Sequence, residues 1–329
     1  MSTANDHPIP TEPSLTSSIL PPAKPDESPR RKIFLGPNGI RAGWRLLLFI
    51  LLLVLLQVLV IQHALRLIPG FAALAQATQN GGPLTVRFEI IVESATILMV
   101  FLAAGIMSRM EKRPFRSYGI PLQGAFGKLF WQGCAWGLAY ESLEILLIFA
   151  FGGFSFGTLA LAGAALVKYA VLWAIGFVLV GIFEEFLFRG YAQFTLGSGI
   201  GFWPSAILLS AAFGAVHLSN VGEGWVGALS VFCFGLFASF TLWRTGNLWF
   251  AIGYHAAGDY AETYIYSVPD SGLTATGHLL NSSVHGSRWL TGGTIGPEGS
   301  VMAFVMFAIV FVAFNWAYPA RKDGLGSSR

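Results

Sequence analysis

The sequence predicts an all-α, polytopic membrane protein of about eight transmembrane helices enclosing an intramembrane cavity. Three observations carry that expectation. Hydrophobic residues make up 54% of the 329-residue chain and charged residues only 11%, against roughly 25% charged in an ordinary soluble domain. The apolar residues gather into runs near the ~20 residues of helix that cross a hydrocarbon core. Several of these runs nevertheless hold carboxylates, histidines and an arginine, which are costly in lipid and mark a polar interior.

Residues 1–42 are rich in Pro and Ser, include Pro21-Pro22 and Pro25, and show no amphipathic period. Such a segment buries too little apolar surface to offset its ordering entropy, so a disordered cytoplasmic tail is expected. No short apolar run with a small-residue cleavage site opens the chain, so no secretory signal is expected. Two N-terminal spans, 44–68 and 88–108, fill residues 43–108. Six more follow at 129–151, 167–196, 202–218, 225–242, 248–266 and 301–318, giving a core over 109–318 and a cytoplasmic tail at 319–329. The Gly-, Ser- and Thr-rich loop 267–300 is expected outside, ending in a turn at 296–300 with Ser300 as candidate N-cap of the last span.

An even number of spans puts both termini on one side. On that arrangement 15 Lys and Arg residues lie on the tail side and four (Arg66, Arg87, Lys168 and Arg288) on the other, with Arg189 inside a span. The positive-inside rule then makes the tail side cytoplasmic. The net charge of +3 gives no reason to expect a nucleic-acid partner. Cys134 and Cys233 lie in apolar runs and read as small core residues.

The candidate chemistry lies in three spans. The fourth carries Glu184, Glu185 and Arg189, the fifth Phe213 and His217, and the seventh His255 and Asp259. Residues four apart share a helix face, so Glu185 and Arg189 are expected to pair and neutralise each other. Glu184 points about 100° away and must find its partner on another span. Phe213 is expected to pack its ring on His217, and Asp259 to orient or charge His255. Each pair alone has a plain structural explanation, but their occurrence together on three spans points to a site. Counted from a turn at 197–201, Glu184 and His217 come at matching heights of roughly 20–25 Å, whereas His255 is about 12 Å deep, a mismatch of ~10 Å. Glu93, Glu141 and Glu144 have no histidine near in sequence and read as cavity-facing or hydrogen-bonded structural groups.

The chain has no H-E-x-x-H zinc motif. Ser198 lacks the rhomboid G-x-S-G frame, and Ala257-Gly258-Asp259 lacks the first glycine of the presenilin G-x-G-D pattern. The ordered set of motifs instead resembles the CAAX-processing and bacteriocin-processing (CPBP, or ABI) family of intramembrane proteases. That family carries E-E-x-x-x-R, F-x-x-x-H and H-x-x-x-(N/D) on successive membrane helices. The resemblance extends over about 109–318 and takes in the basic stretch 113–119 and the turn 296–300. It implies an intramembrane endopeptidase acting on membrane-associated or lipidated peptides. Glu184 and His217 would activate water and His255 would face the tetrahedral oxyanion, with Glu185, Arg189 and Phe213 in support.

Asp259 departs from the asparagine of the eukaryotic branch. An ionised carboxylate accepts hydrogen bonds but donates none, so Asp259 is protonated, orients His255, or helps bind a metal. Zinc on Glu184, His217, His255 and Asp259 is one reading; the favoured mechanism needs no cofactor. The resemblance also admits a non-proteolytic scaffold, regulator or bacteriocin-immunity-type protein. A transporter relaying protons through Glu93, Glu141 and Glu144 is a third reading, and no inverted repeat supports it. The expected partners are a membrane protein or peptide substrate and the lipid bilayer. The expected location is the cytoplasmic membrane of a bacterium.

Overall fold

The computed structural model describes residues 33–36, 39–60, 63, 65–220 and 222–319. The tail expected at 1–42 therefore lies outside the described residues apart from its last part, as does nearly all of the one at 319–329. The chain divides into a unit up to Arg41 and a unit from Ala42 onward. In the first, Leu35–Gly36 (β1) and Gly39–Ile40 (β2) pair antiparallel.

The second unit is helical, and the chain is an all-α integral membrane protein. Its helices are α1 (Ala42–Leu59), α2 (Phe71–Gln79), α3 (Val86–Met110), α4 (Lys128–Ala150) and α5 (Ala164–Glu185). They continue as α6 (Gln193–Ile200), α7 (Phe202–His217), α8 (Trp225–Thr245), α9 (Trp249–Asp259), α10 (Arg288–Thr291) and α11 (Val301–Ala317). Among the described residues, five segments are long and apolar enough to cross a membrane: α1, α3, α4, the continuous stretch Ala164–Ile200, and α8. They fall on the first four expected spans and the sixth. The apolar helices α7 and α11 are shorter, at 16 and 17 residues.

The seventh expected span is built differently from a rim-to-rim helix. It consists of α9, continued by a π-helical turn over Tyr260–Ile265. Leu248 and Phe250 are fully buried, and the Leu248 amide donates to the Gly119 carbonyl at 2.8 Å. The helix thus starts inside the bundle, on the turn that ends the basic stretch 113–119.

Close backbone packing holds α9 there. Gly133 and Gly137 of α4 form a G-x-x-x-G face, and a Cβ on either would fall on the carbonyl oxygen of Phe250 or Tyr254. Gly253 returns the contact against the Phe130 carbonyl, and a Cβ at Gly181 of α5 would lie 2.9 Å from the Ile252 carbonyl. Small residues permit such approach between helices in lipid, where hydrophobic burial gives little drive for association. Helix α9 is gripped from two sides, which fixes the height of His255.

Loop 267–300 folds back onto the helix ends. The Leu84 amide donates to the Thr274 carbonyl at 2.7 Å, and Trp173 Nε1 donates to the Thr276 carbonyl at 3.1 Å. Phe154–Ser155 (β3) pairs with Ser283–Val284 (β4) within this layer. Ser300 caps α11, accepting from the amides of Met302 and Ala303, as the sequence leads one to expect.

Candidate active site

The first motif sits where α5 stops being a regular helix. A π-helical stretch, Phe186–Ala192, follows Glu185, and Gly190 within it leaves helical backbone angles (φ −80°, ψ −107°). π-bulges recur at functional sites because the extra residue turns side chains off the regular register. Glu185 and Arg189 are both buried, at 0% and 1% exposure. They form the expected pair, Arg189 Nη1 to Glu185 Oε1, at 3.2 Å.

Glu185 has a second task that the sequence does not reveal. Its Oε1 also lies 2.9 Å from His255 Nδ1. The carboxylate accepts, so Nδ1 carries the hydrogen and the ring orientation is set. His255 Nε2 then faces two further carboxylates, Asp259 Oδ2 at 3.5 Å and Glu184 Oε2 at 3.7 Å. Glu184 thus finds its partner on another helix, and Asp259 lies by the expected imidazole. The ~10 Å height mismatch does not exist, because α9 begins within the bundle rather than at its surface.

The second motif joins the first through aromatic contacts. The Arg189 guanidinium lies 4.3 Å from the centroid of the Phe213 ring, a cation–π contact that offsets part of the cost of burying the charge. Phe213 in turn meets the His217 ring edge-to-face at 4.7 Å. A Cβ at Gly235 of α8 would collide with Arg189 Nη2, so that glycine makes room for the guanidinium. His217 Nδ1 lies 2.8 Å from the Phe213 carbonyl oxygen. A carbonyl only accepts, so Nδ1 donates. No hydrogen bond or ion pair joins His217 to Glu184 among the described residues.

Glu184, His217, His255 and Asp259 all line one cavity of about 400 Å³. Glu93, Glu141 and Glu144 line it as well. Of these, Glu93 accepts from Thr96 at 3.1 Å and Glu144 from Ser300 at 3.2 Å. Four more carboxylates that the sequence does not single out line the wall: Glu89, Glu262, Asp270 and Glu298. Glu89 stands four before Glu93, and Glu262 three after Asp259, so helical spacing could have found both. Asp270 and Glu298 belong to loop 267–300, where no periodicity places a side chain. Asp270 accepts from Thr263 at 3.0 Å, and burial pushes its carboxyl up to about 6. Burial and the neighbouring Asp270 raise Glu298 well above the usual carboxylate range.

Among the described residues no three His, Cys, Asp or Glu side chains are gathered as ligands for one metal ion. His255 donates from Nδ1 to Glu185 and presents Nε2 to Glu184 and Asp259, whereas His217 makes no hydrogen bond or ion pair with Glu184 among the described residues. Cys134 and Cys233 are both free.

No curated protein and no solved structure matches the chain. A family match falls on residues 166–261, the segment from α5 to the turn after α9 that holds all three motifs; the basic stretch 113–119 and the turn 296–300 lie outside it. That segment is similar to the protease family described as Type II CAAX prenyl endopeptidase Rce1-like, consistent with the CPBP resemblance.

Proposed function

We propose that the chain is an intramembrane endopeptidase in which Glu184 and His217 activate a water for attack on a peptide bond. The observation that carries this reading is the convergence of Glu184, His217, His255 and Asp259 on one cavity wall within the helical bundle. A water between Glu184 and His217 Nε2 gives its proton to the Glu184 carboxylate as its oxygen bonds to the scissile carbonyl carbon. The carbonyl oxygen becomes an oxyanion facing His255 Nε2–H, which Asp259 and Glu184 flank. When the carbon–nitrogen bond breaks, the stored proton passes to the leaving amine, giving one new carboxylate and one new amine. Asp259 orients and charges His255, and it donates no hydrogen bond to the oxyanion. Positioned proton transfer of this kind contributes typically 10²–10⁴-fold, and preorganised oxyanion donors about as much.

The cavity lies toward the ends of α7 and α9 that meet loop 267–300, opposite the turn 113–119. Substrates in this reading are membrane-associated peptides.

The test is the purified chain in bilayer nanodiscs with membrane-anchored peptides. Cleavage by the wild-type chain, unchanged by a zinc chelator and lost in Glu184→Ala, is the expected result. Cleavage that persists in Glu184→Ala contradicts the glutamate mechanism, and loss on chelation contradicts its metal-free form.

A further inference from the structure

The motif residues occupy one part of the cavity, and the rest of its wall has a chemistry of its own. Nine lining residues are Asp or Glu and none is Lys or Arg. Glu141 of α4, Glu262 of the π turn, and Asp270 and Glu298 of the loop lie within electrostatic reach of one another. None of the four forms an ion pair among the described residues. Glu141 and Glu262 are 4% and 6% exposed, yet Oε1 of each has no hydrogen-bond partner. An independent group points the same way. The Tyr254 hydroxyl is on the same wall, in a side chain 2% exposed, and it too is unpartnered. Its ring packs on Phe237 at 4.9 Å and Tyr140 at 5.8 Å, and its hydroxyl oxygen can accept from a bound donor.

Buried polar atoms almost always have partners, and several orphans around one space call for a ligand rich in donors. An ammonium offers three donors and a guanidinium five. A metal ion fits less well, since no three of these groups converge on one point. The acidic part adjoins the reaction centre, because Asp259 reaches both Glu141 and Glu262 electrostatically and also flanks His255.

We propose that this part of the cavity is a subsite for a cationic group of the substrate. A Lys or Arg side chain, or a free α-amino group, seats its nitrogen among Glu141, Glu262 and the Tyr254 hydroxyl, beside the scissile bond. The assignment of that group to a substrate rests on the protease reading above.

The test uses the full chain carrying Glu184→Ala, in phosphatidylcholine nanodiscs, and four otherwise identical membrane-anchored peptides. Three are N-acetylated and carry Lys, Arg or Gln at one position near the membrane; the fourth carries Gln and a free amino terminus. Lys and Arg peptides, or the free-amine peptide, should bind about tenfold more tightly than the acetylated Gln peptide, as charge-assisted hydrogen bonds require. Which of them binds identifies the source of the cation. Adding Glu141→Gln and Glu262→Gln together should bring the ratio close to one. Equal binding of all four peptides overturns the subsite, as does a preference that survives the double substitution, or binding of Mg²⁺ or Ca²⁺ with no peptide preference. A preference without any cleavage by the wild-type chain overturns the protease reading instead. Cleavage without preference overturns the subsite alone.

Discussion

The two ends of the cavity hold similar groups in opposite conditions. At the motif end, Glu185 is bound to Arg189 and His255, Arg189 rests on Phe213, and Glu184 and Asp259 share His255 Nε2. At the acidic end, Glu141 and Glu262 are also buried, but among the described residues neither has a cation or a donor at its Oε1. A buried charge with a built partner fixes geometry, and losing that partner is severe. A buried carboxylate left without one is held ready for something that arrives. The difference separates a scaffold for catalysis from a place for a ligand.

Substitutions can break that comparison. Arg189→Ala strands Glu185 in the bundle and should cost about 3–5 kcal/mol, read as a large drop in the unfolding midpoint in nanodiscs. A comparable loss for Glu262→Gln would abolish the distinction between the two ends. The account expects Glu262→Gln to leave stability unchanged or raise it, since no partner is lost. Gly137→Val pushes α4 off α9 and should cost about 1–3 kcal/mol. It should also lower activity, because the displacement carries His255 away from Glu184 and Glu185. Ser300→Ala removes the cap of α11 and the bond to Glu144, for about 1 kcal/mol.

A further effect is in pH. Asp270, facing Glu141, Glu262 and Glu298 with His217 and His255 beyond, is raised by burial to about 6. The native state therefore holds that proton more tightly than the unfolded chain does. Stability should fall as pH rises from the ordinary aspartate value through about 6, and level off above it. Thermal unfolding from pH 4 to 8 should show this slope in the wild-type chain and a shallower one in Asp270→Asn.

The motif end was largely legible in the sequence because its residues obey helical spacing. Glu185 with Arg189, Phe213 with His217, and His255 with Asp259 are each four apart, and each meets as expected. What spacing hid was the third dimension. Glu185 reaches His255 only because Gly133, Gly137 and Gly181 let α9 sink between α4 and α5. The height of His255 depends on where α9 begins, which no residue spacing in the sequence gives. The acidic end was mostly hidden. Two of its carboxylates come from loop 267–300, whose return over the bundle depends on tertiary bonds such as Leu84 to Thr274 rather than on any pattern.

The most direct test of the central claim is a comparison of peptide termini in membranes from cells with the wild-type chain and with Glu184→Ala, the two proteins matched in abundance. The account predicts new amino and carboxyl termini, in or beside membrane segments, that are present with the wild-type chain and absent with Glu184→Ala. Identical termini in both would contradict hydrolysis at this site.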